Sequence, residues 1–146
     1  MNNSQINGII ITGPQGFGKT TFLQTFCKNL NSYPINCSRI ESPKQRELFH
    51  AFLEGLYDMD VIVLQKLIGT SDLPRDLPIT STMRKPFQNY SSTFFRPLIL
   101  VETQIPKKEM ATSLFKRWIV FEYDGSAESW GNLEDVIFKF ILSKTM

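Results

Sequence analysis

Gly8-Ile9-Ile10-Ile11-Thr12 is an unbroken apolar run rich in β-branched residues. A run of this length without alternation predicts a strand buried on both faces, here over 7–12. A glycine-rich loop follows over 13–20. Helical spacing then takes over: Phe22, Phe26 and Leu30 fall four apart, on one face of a helix over 20–30. Ser32-Tyr33-Pro34 breaks that helix, and Ile35–Ser38 predicts a second strand. Ser42 at a cap and Pro43 in the first turn start another helix. Leu48–Glu54 reads either as its continuation or as a buried strand ending in an acid. Asp58–Ile68 reads as a helix closed by Gly69, although Val61-Ile62-Val63-Leu64 is equally a strand by composition. In the proline-bearing stretch 71–86, Leu77–Met83 predicts a strand leading into Arg84-Lys85-Pro86, with Phe87–Tyr90 as the returning arm of a hairpin. Pro97–Val101 is a clear central strand and Lys108–Phe115 a short helix. Trp118–Tyr123 is a last strand, closed by the Asp124-Gly125 turn, and Glu134–Leu142 is a C-terminal helix. Strands alternating with helices predict an α/β fold: three layers, with a mostly parallel central sheet flanked by helices.

The loop carries the chemistry. Gly13-Pro14-Gln15-Gly16-Phe17-Gly18-Lys19-Thr20 matches the phosphate-binding loop G-x-x-x-x-G-K-[ST] at every fixed position, between a strand and a helix as the motif requires. Glycines let backbone N–H groups turn toward phosphate oxygens, and the helix N-terminus adds partial positive charge. Residues 13–21, including Thr21 in the first helical turn, are the expected nucleotide contacts. Lys19 would reach the β- and γ-phosphates of ATP, and Thr20 would offer its hydroxyl to Mg²⁺. The fold class is therefore a three-layer P-loop NTPase.

Composition narrows the rest. The chain has 146 residues, enough for one domain with a substantial core, and the first strand begins almost at once, so no separate N-terminal domain is expected. A net charge of +2 is too weak to argue for nucleic acid without local placement. Two cysteines, Cys27 and Cys37, form no metal-binding pattern and suit a reduced intracellular setting. No apolar stretch is long enough to span a membrane. The expected location is soluble and intracellular.

The order of motifs resembles the superfamily 3 helicase domain, a branch of the AAA+ ATPases found in replication proteins of small DNA viruses. The likeness runs from about Gly8 to Tyr123. Beyond the loop it rests on the block from Leu67-Ile68-Gly69 through Arg84-Lys85 to Arg96-Pro97-Leu98-Ile99-Leu100-Val101-Glu102-Thr103-Gln104-Ile105-Pro106. The resemblance implies an ATP-hydrolysing motor working as a homo-oligomeric ring on single-stranded DNA. It implies Gln104, where an asparagine usually stands, as the residue that orients water and senses the γ-phosphate. It implies Arg117 as an arginine finger toward a neighbouring subunit, and Arg84, Lys85 and Phe87 as a basic hairpin tip gripping nucleic acid. By spacing from the same block, Glu54 is the expected metal-side acid, with Gly55 in place of a second. The rival strand, Val61–Leu64, ends in Gln65-Lys66 and supplies no carboxylate. If the chain instead transfers the γ-phosphoryl group of ATP to a small acceptor, it is a P-loop kinase. If hydrolysis is weak it is a nucleotide-binding interaction module.

Overall fold

The computed structural model describes residues 6–14, 16, 18–28, 30, 32–40, 42–54, 61–69, 85–86, 95–96 and 98–143. Five strands form one parallel sheet: β1 (Gly8–Thr12), β2 (Ser32–Asn36), β3 (Val61–Leu67), β6 (Leu98–Thr103) and β7 (Trp118–Glu122), in the order β2-β3-β6-β1-β7. Two further strands, β4 (Lys85–Pro86) and β5 (Phe95–Arg96), pair antiparallel as a small separate ladder. The helices are α1 (Lys19–Phe26), α2 (Pro43–Glu54) and α3 (Ala127–Ser143).

Side-chain alternation divides the core into two layers. Ile9, Ile11, Val61, Val63, Leu98 and Leu100 face Phe22 and Leu23 of α1 and Leu133 and Ile137 of α3. Ile10, Ile62, Leu64, Ile99 and Val101 face the opposite side, with Phe49 of α2, Cys37 and Met110. Central strands buried on both faces explain why β1 and β6 read as continuous apolar runs. Each fully buried isoleucine or leucine contributes roughly 1.5–3 kcal/mol of burial, and the centre of the sheet is built almost wholly of such residues.

The fold corrects four sequence expectations. Val61–Leu67 is a strand, not part of a helix: its first four residues are at most 4% exposed, and between β2 and β6 it is covered on both faces. The second strand lies over Ser32–Asn36, so Pro34 sits inside it. This is tolerated because β2 is the sheet edge, where one row of N–H groups has no ladder partner. The segment expected as a short helix over 108–115 is two 3₁₀ turns, Lys107–Glu109 and Thr112–Lys116. The C-terminal helix begins at Ala127, seven residues before the expected start at Glu134. Ser126 Oγ accepts the Ser129 N–H at 3.0 Å, and Asp124 accepts the Ser126 N–H at 2.8 Å. That polar cap starts the helix on residues without hydrophobic periodicity.

Candidate nucleotide-binding site

Because every strand of the main sheet is parallel, their C-terminal ends share one edge, where α/β folds place ligands. A cleft of about 860 Å³ lies there. The loop between β1 and α1 supplies Gly16, Gly18, Lys19, Thr20 and Thr21. The end of β3 supplies Lys66, Leu67 and Ile68. The end of β6 and the turn after it supply Glu102 through Pro106, and Ser38 and Glu109 complete the lining.

The glycines of the loop have distinct reasons. A Cβ on Gly13 would sit 2.4 Å from the carbonyl oxygen of Tyr123, where the chain leaves β7. Gly16 and Gly18 adopt φ of 89° and 88°, the left-handed region that favours glycine, and nothing crowds either position. Gly18 is also the N-cap of α1, so the turn delivers the chain straight into the helix that carries Lys19 and Thr20. Gln15 and Phe17 lie outside the described residues.

Lys19 is only 5% exposed. Its ammonium donates to the carbonyls of Gly13 at 2.5 Å and Pro14 at 2.9 Å, which keeps it inside the loop. Burial lowers its pKa from the usual lysine value, and the nearby Glu102 carboxylate opposes that shift. Thr20 Oγ1 donates to Glu102 Oε2 at 3.3 Å, joining the first turn of α1 to the end of β6. On β6, Leu98 and Leu100 face α1, so the two-residue alternation aims Glu102 toward that helix as well.

A hydrogen-bonded chain fixes the floor. Thr12 Oγ1 donates to the Ile105 carbonyl, the Ile105 N–H donates to Thr103 Oγ1 at 3.2 Å, and Thr103 Oγ1 donates to the Leu67 carbonyl at 2.7 Å. The last bond spans β6 and β3 where their register shifts between Leu64 and Leu67. Within that bulge Lys66 has φ 57°, the one non-glycine with positive φ among the described residues. The left-handed region costs a non-glycine residue about 1–2 kcal/mol.

These positions revise the expected site. Gln104 is exposed and is among the residues that line the cleft with Lys19 and Thr20. Glu54 does not end a strand. It is the last residue of α2, whose twelve residues run without a break from the Ser42 cap, and the strand that pairs with β6 comes later. That strand ends in Gln65-Lys66, so the described end of β3 offers the cleft no carboxylate. Glu102 and Lys66 were given no role from sequence. The signal for Glu102 is its place directly after the apolar run Leu98–Val101. Lys66 becomes visible only once 61–67 is taken as a strand.

Arg117 precedes β7, and its carbonyl accepts the Asn7 N–H at 2.6 Å, at the N-terminal edge of the sheet and across it from the cleft. Lys85 lies within the β4–β5 ladder, paired with Arg96, rather than at a hairpin tip, and the expected returning arm over 87–90 lies outside the described residues. Arg84 and Phe87 lie outside the described residues.

No family model and no curated protein matches this chain. Among solved structures it is similar to a RuvB variant from Thermotoga maritima, with a TM-score of 0.50 and 16% identity over 80% of this chain and 37% of that one. The fold is that of an α/β P-loop NTPase. The chain spans little more than a third of the RuvB chain. Among the described residues, no helix is long and apolar enough to cross a membrane, and no group of three or more His, Cys, Asp or Glu side chains could hold a metal. One hydroxyl and one carboxylate, Thr20 and Glu102, are hard oxygen donors 3.3 Å apart. Such a pair suits Mg²⁺, which takes few protein ligands and completes its shell with water and phosphate.

Proposed function

We propose that this chain binds ATP with Mg²⁺ in the cleft and hydrolyses it slowly. The observation that carries the reading is the convergence of Lys19, Thr20 and Glu102 at the C-terminal edge of the sheet, behind a loop whose glycines leave room for phosphate. Lys19 would exchange its loop carbonyls for phosphate oxygens, and the N-terminus of α1 would add its dipole. Thr20 and Glu102 would hold Mg²⁺, which when bound neutralises phosphate charge. Gln104, at the mouth of the cleft, would orient water through its amide. Slow turnover follows from the end of β3, where an amide and an ammonium stand and neither takes a proton from water at neutral pH.

Equilibrium binding of a fluorescent ATP analogue, with and without Mg²⁺, tests the reading against Lys19→Ala. Native chain that binds in the micromolar range, a variant that loses binding, and turnover well below one per second would support it. Equal binding by both chains would refute it.

A second reading, an oligomeric motor on DNA, draws on the likeness to superfamily 3 helicases and on Arg117. The backbone of that residue stands at the edge of the sheet opposite its own cleft, so a role at a γ-phosphate would call for a second copy. ATP turnover that rises with added single-stranded DNA, together with a defined oligomer in light scattering, would favour this version. A monomer indifferent to DNA would leave the nucleotide-binding module.

A further inference from the structure

We propose that Lys66 is a second phosphate-binding cation that grips the terminal phosphate of a nucleoside triphosphate and sets the preference for triphosphate over diphosphate. This rests on the nucleotide-binding reading above. Lys66 lines the same cleft as Lys19, Thr20 and Glu102 but is carried by a different element, β3, two strands from β1 in the sheet. Its side chain is exposed, whereas the Lys19 ammonium is buried and held by two carbonyls.

The backbone singles out the position. A residue at φ 57° inside a bulge is most cheaply glycine or asparagine. A lysine there bears a conformational cost with no packing return, since its side chain is exposed while Leu67 beside it is buried. Strain retained at a cleft points to use of the side chain it presents. The bulge is also held in place: the buried Thr103 hydroxyl donates to the Leu67 carbonyl at 2.7 Å, tying the peptide next to Lys66 to the turn that carries Gln104.

Charge supports the assignment. The other charged groups lining the cleft are Lys19, Glu102 and Glu109, and Glu102 is already engaged with Thr20. Without Lys66 the described lining would carry one cation against two carboxylates, a poor match for the several negative charges of a triphosphate. With it, a cation stands at the end of β3 where the chain offers no acid, and ammonium is suited to a single phosphate oxygen as a compact point charge.

The experiment measures dissociation constants for ATP, ADP and AMP by calorimetry on the full chain as native, Lys66→Ala, Lys66→Gly and Lys66→Arg. A charge-assisted bond lost from the terminal phosphate predicts ~10–100-fold weaker ATP binding in Lys66→Ala, with ADP and AMP changed less than ~3-fold. Lys66→Arg should recover most of the ATP preference. Lys66→Gly keeps the bulge and removes the positive-φ cost, so it should melt at or above the native temperature while losing the same preference. This separates the effect from folding. Native discrimination retained in both the alanine and glycine variants overturns the proposal while leaving the nucleotide site intact. A native chain that binds none of the three nucleotides overturns the parent reading as well.

Discussion

Exchanging Glu102 for glutamine isolates the carboxylate charge at the centre of the site. The amide keeps the shape and still accepts from Thr20, whose hydroxyl lies 3.3 Å from Oε2 in the native chain. Only the charge is lost. A hydrogen bond to a charged group contributes about 1.5–3 kcal/mol and a neutral one about 0.5–1.5, so the fold should lose about 1 kcal/mol or less at this partly exposed site. The larger effect falls on Mg²⁺. Changing even a group that only supports a metal ligand typically costs ~10–100-fold in metal affinity, or about 1.4–2.7 kcal/mol, and loss of the Glu102 charge should cost at least that. Lys19 also loses the one carboxylate that opposes its burial, so its pKa should fall further. The assay is a Mg²⁺ titration at fixed ATP, reading the midpoint for bound nucleotide in native, Glu102→Gln and Glu54→Gln chains. The expected result is a midpoint ~10–100-fold higher for Glu102→Gln and unchanged for Glu54→Gln, with near-native melting in both. A Glu102→Gln midpoint equal to native, or a shift confined to Glu54→Gln, would refute the placement of the acid on β6.

Gly13→Ala drives a methyl toward the Tyr123 carbonyl, 2.4 Å from the ideal Cβ, and should cost about 3 kcal/mol and ~6–12 °C in melting temperature. Gly16→Ala meets no atom and bears only the positive-φ cost of about 1–2 kcal/mol; a Gly16 variant less stable than the Gly13 variant would contradict the contact argument. Hydrogen bonds from the Ser126 hydroxyl and N–H hold Asp124 below its ordinary pKa, so its contribution to stability is complete above the unfolded carboxylate range and is lost as pH falls through the native value. Urea midpoints should therefore drop between pH 5 and pH 3 and drop less in Asp124→Asn; parallel curves would count against the cap. Burial pushes the Cys27 thiol up to about 11, leaving ~10⁻³ of it as thiolate at pH 8, and Cys37 is fully buried. Alkylation of Cys27 in the native chain should be at least ~10²-fold slower than in denaturant, and reaction within seconds at either thiol would overturn the burial of that cysteine.

The layers of the fold were legible where local pattern and tertiary role agree. Ile9–Ile11 and Leu98–Val101 read as buried strands because a strand covered on both faces has no polar alternation to disguise it. Ser42-Pro43 read as a helix start because capping chemistry is local. Val61–Leu67 was ambiguous because four apolar residues fit either period, and its neighbours β2 and β6, far away in sequence, decide the matter. Pro34 concealed β2 for a related reason. Proline forbids a central strand but not an edge, and edge status is a property of the assembled sheet.

The site divides along the same line. The turn from Gly13 into the helix that carries Lys19 and Thr20 is legible in contiguous sequence, because a glycine loop between strand and helix is a local structure. The acid is not, because its position is defined by which strand stands beside the loop. In a parallel sheet the C-terminal ends of β3 and β6 are neighbours, so a carboxylate at either can reach the same cleft. Counting residues from a family pattern assumes that the acid's strand has not changed. In this chain Gln65 and Lys66 end β3, and Glu102 lies one strand nearer to β1, bonded to Thr20. The exchange has a direct chemical consequence. A carboxylate beside the loop threonine suits a cation that screens phosphate, while an ammonium at the end of β3 suits the phosphate itself. On the proposed reading both groups would favour holding a triphosphate over attacking it, so that tight binding and slow turnover would share one origin, the placing of charge at two adjacent strand ends.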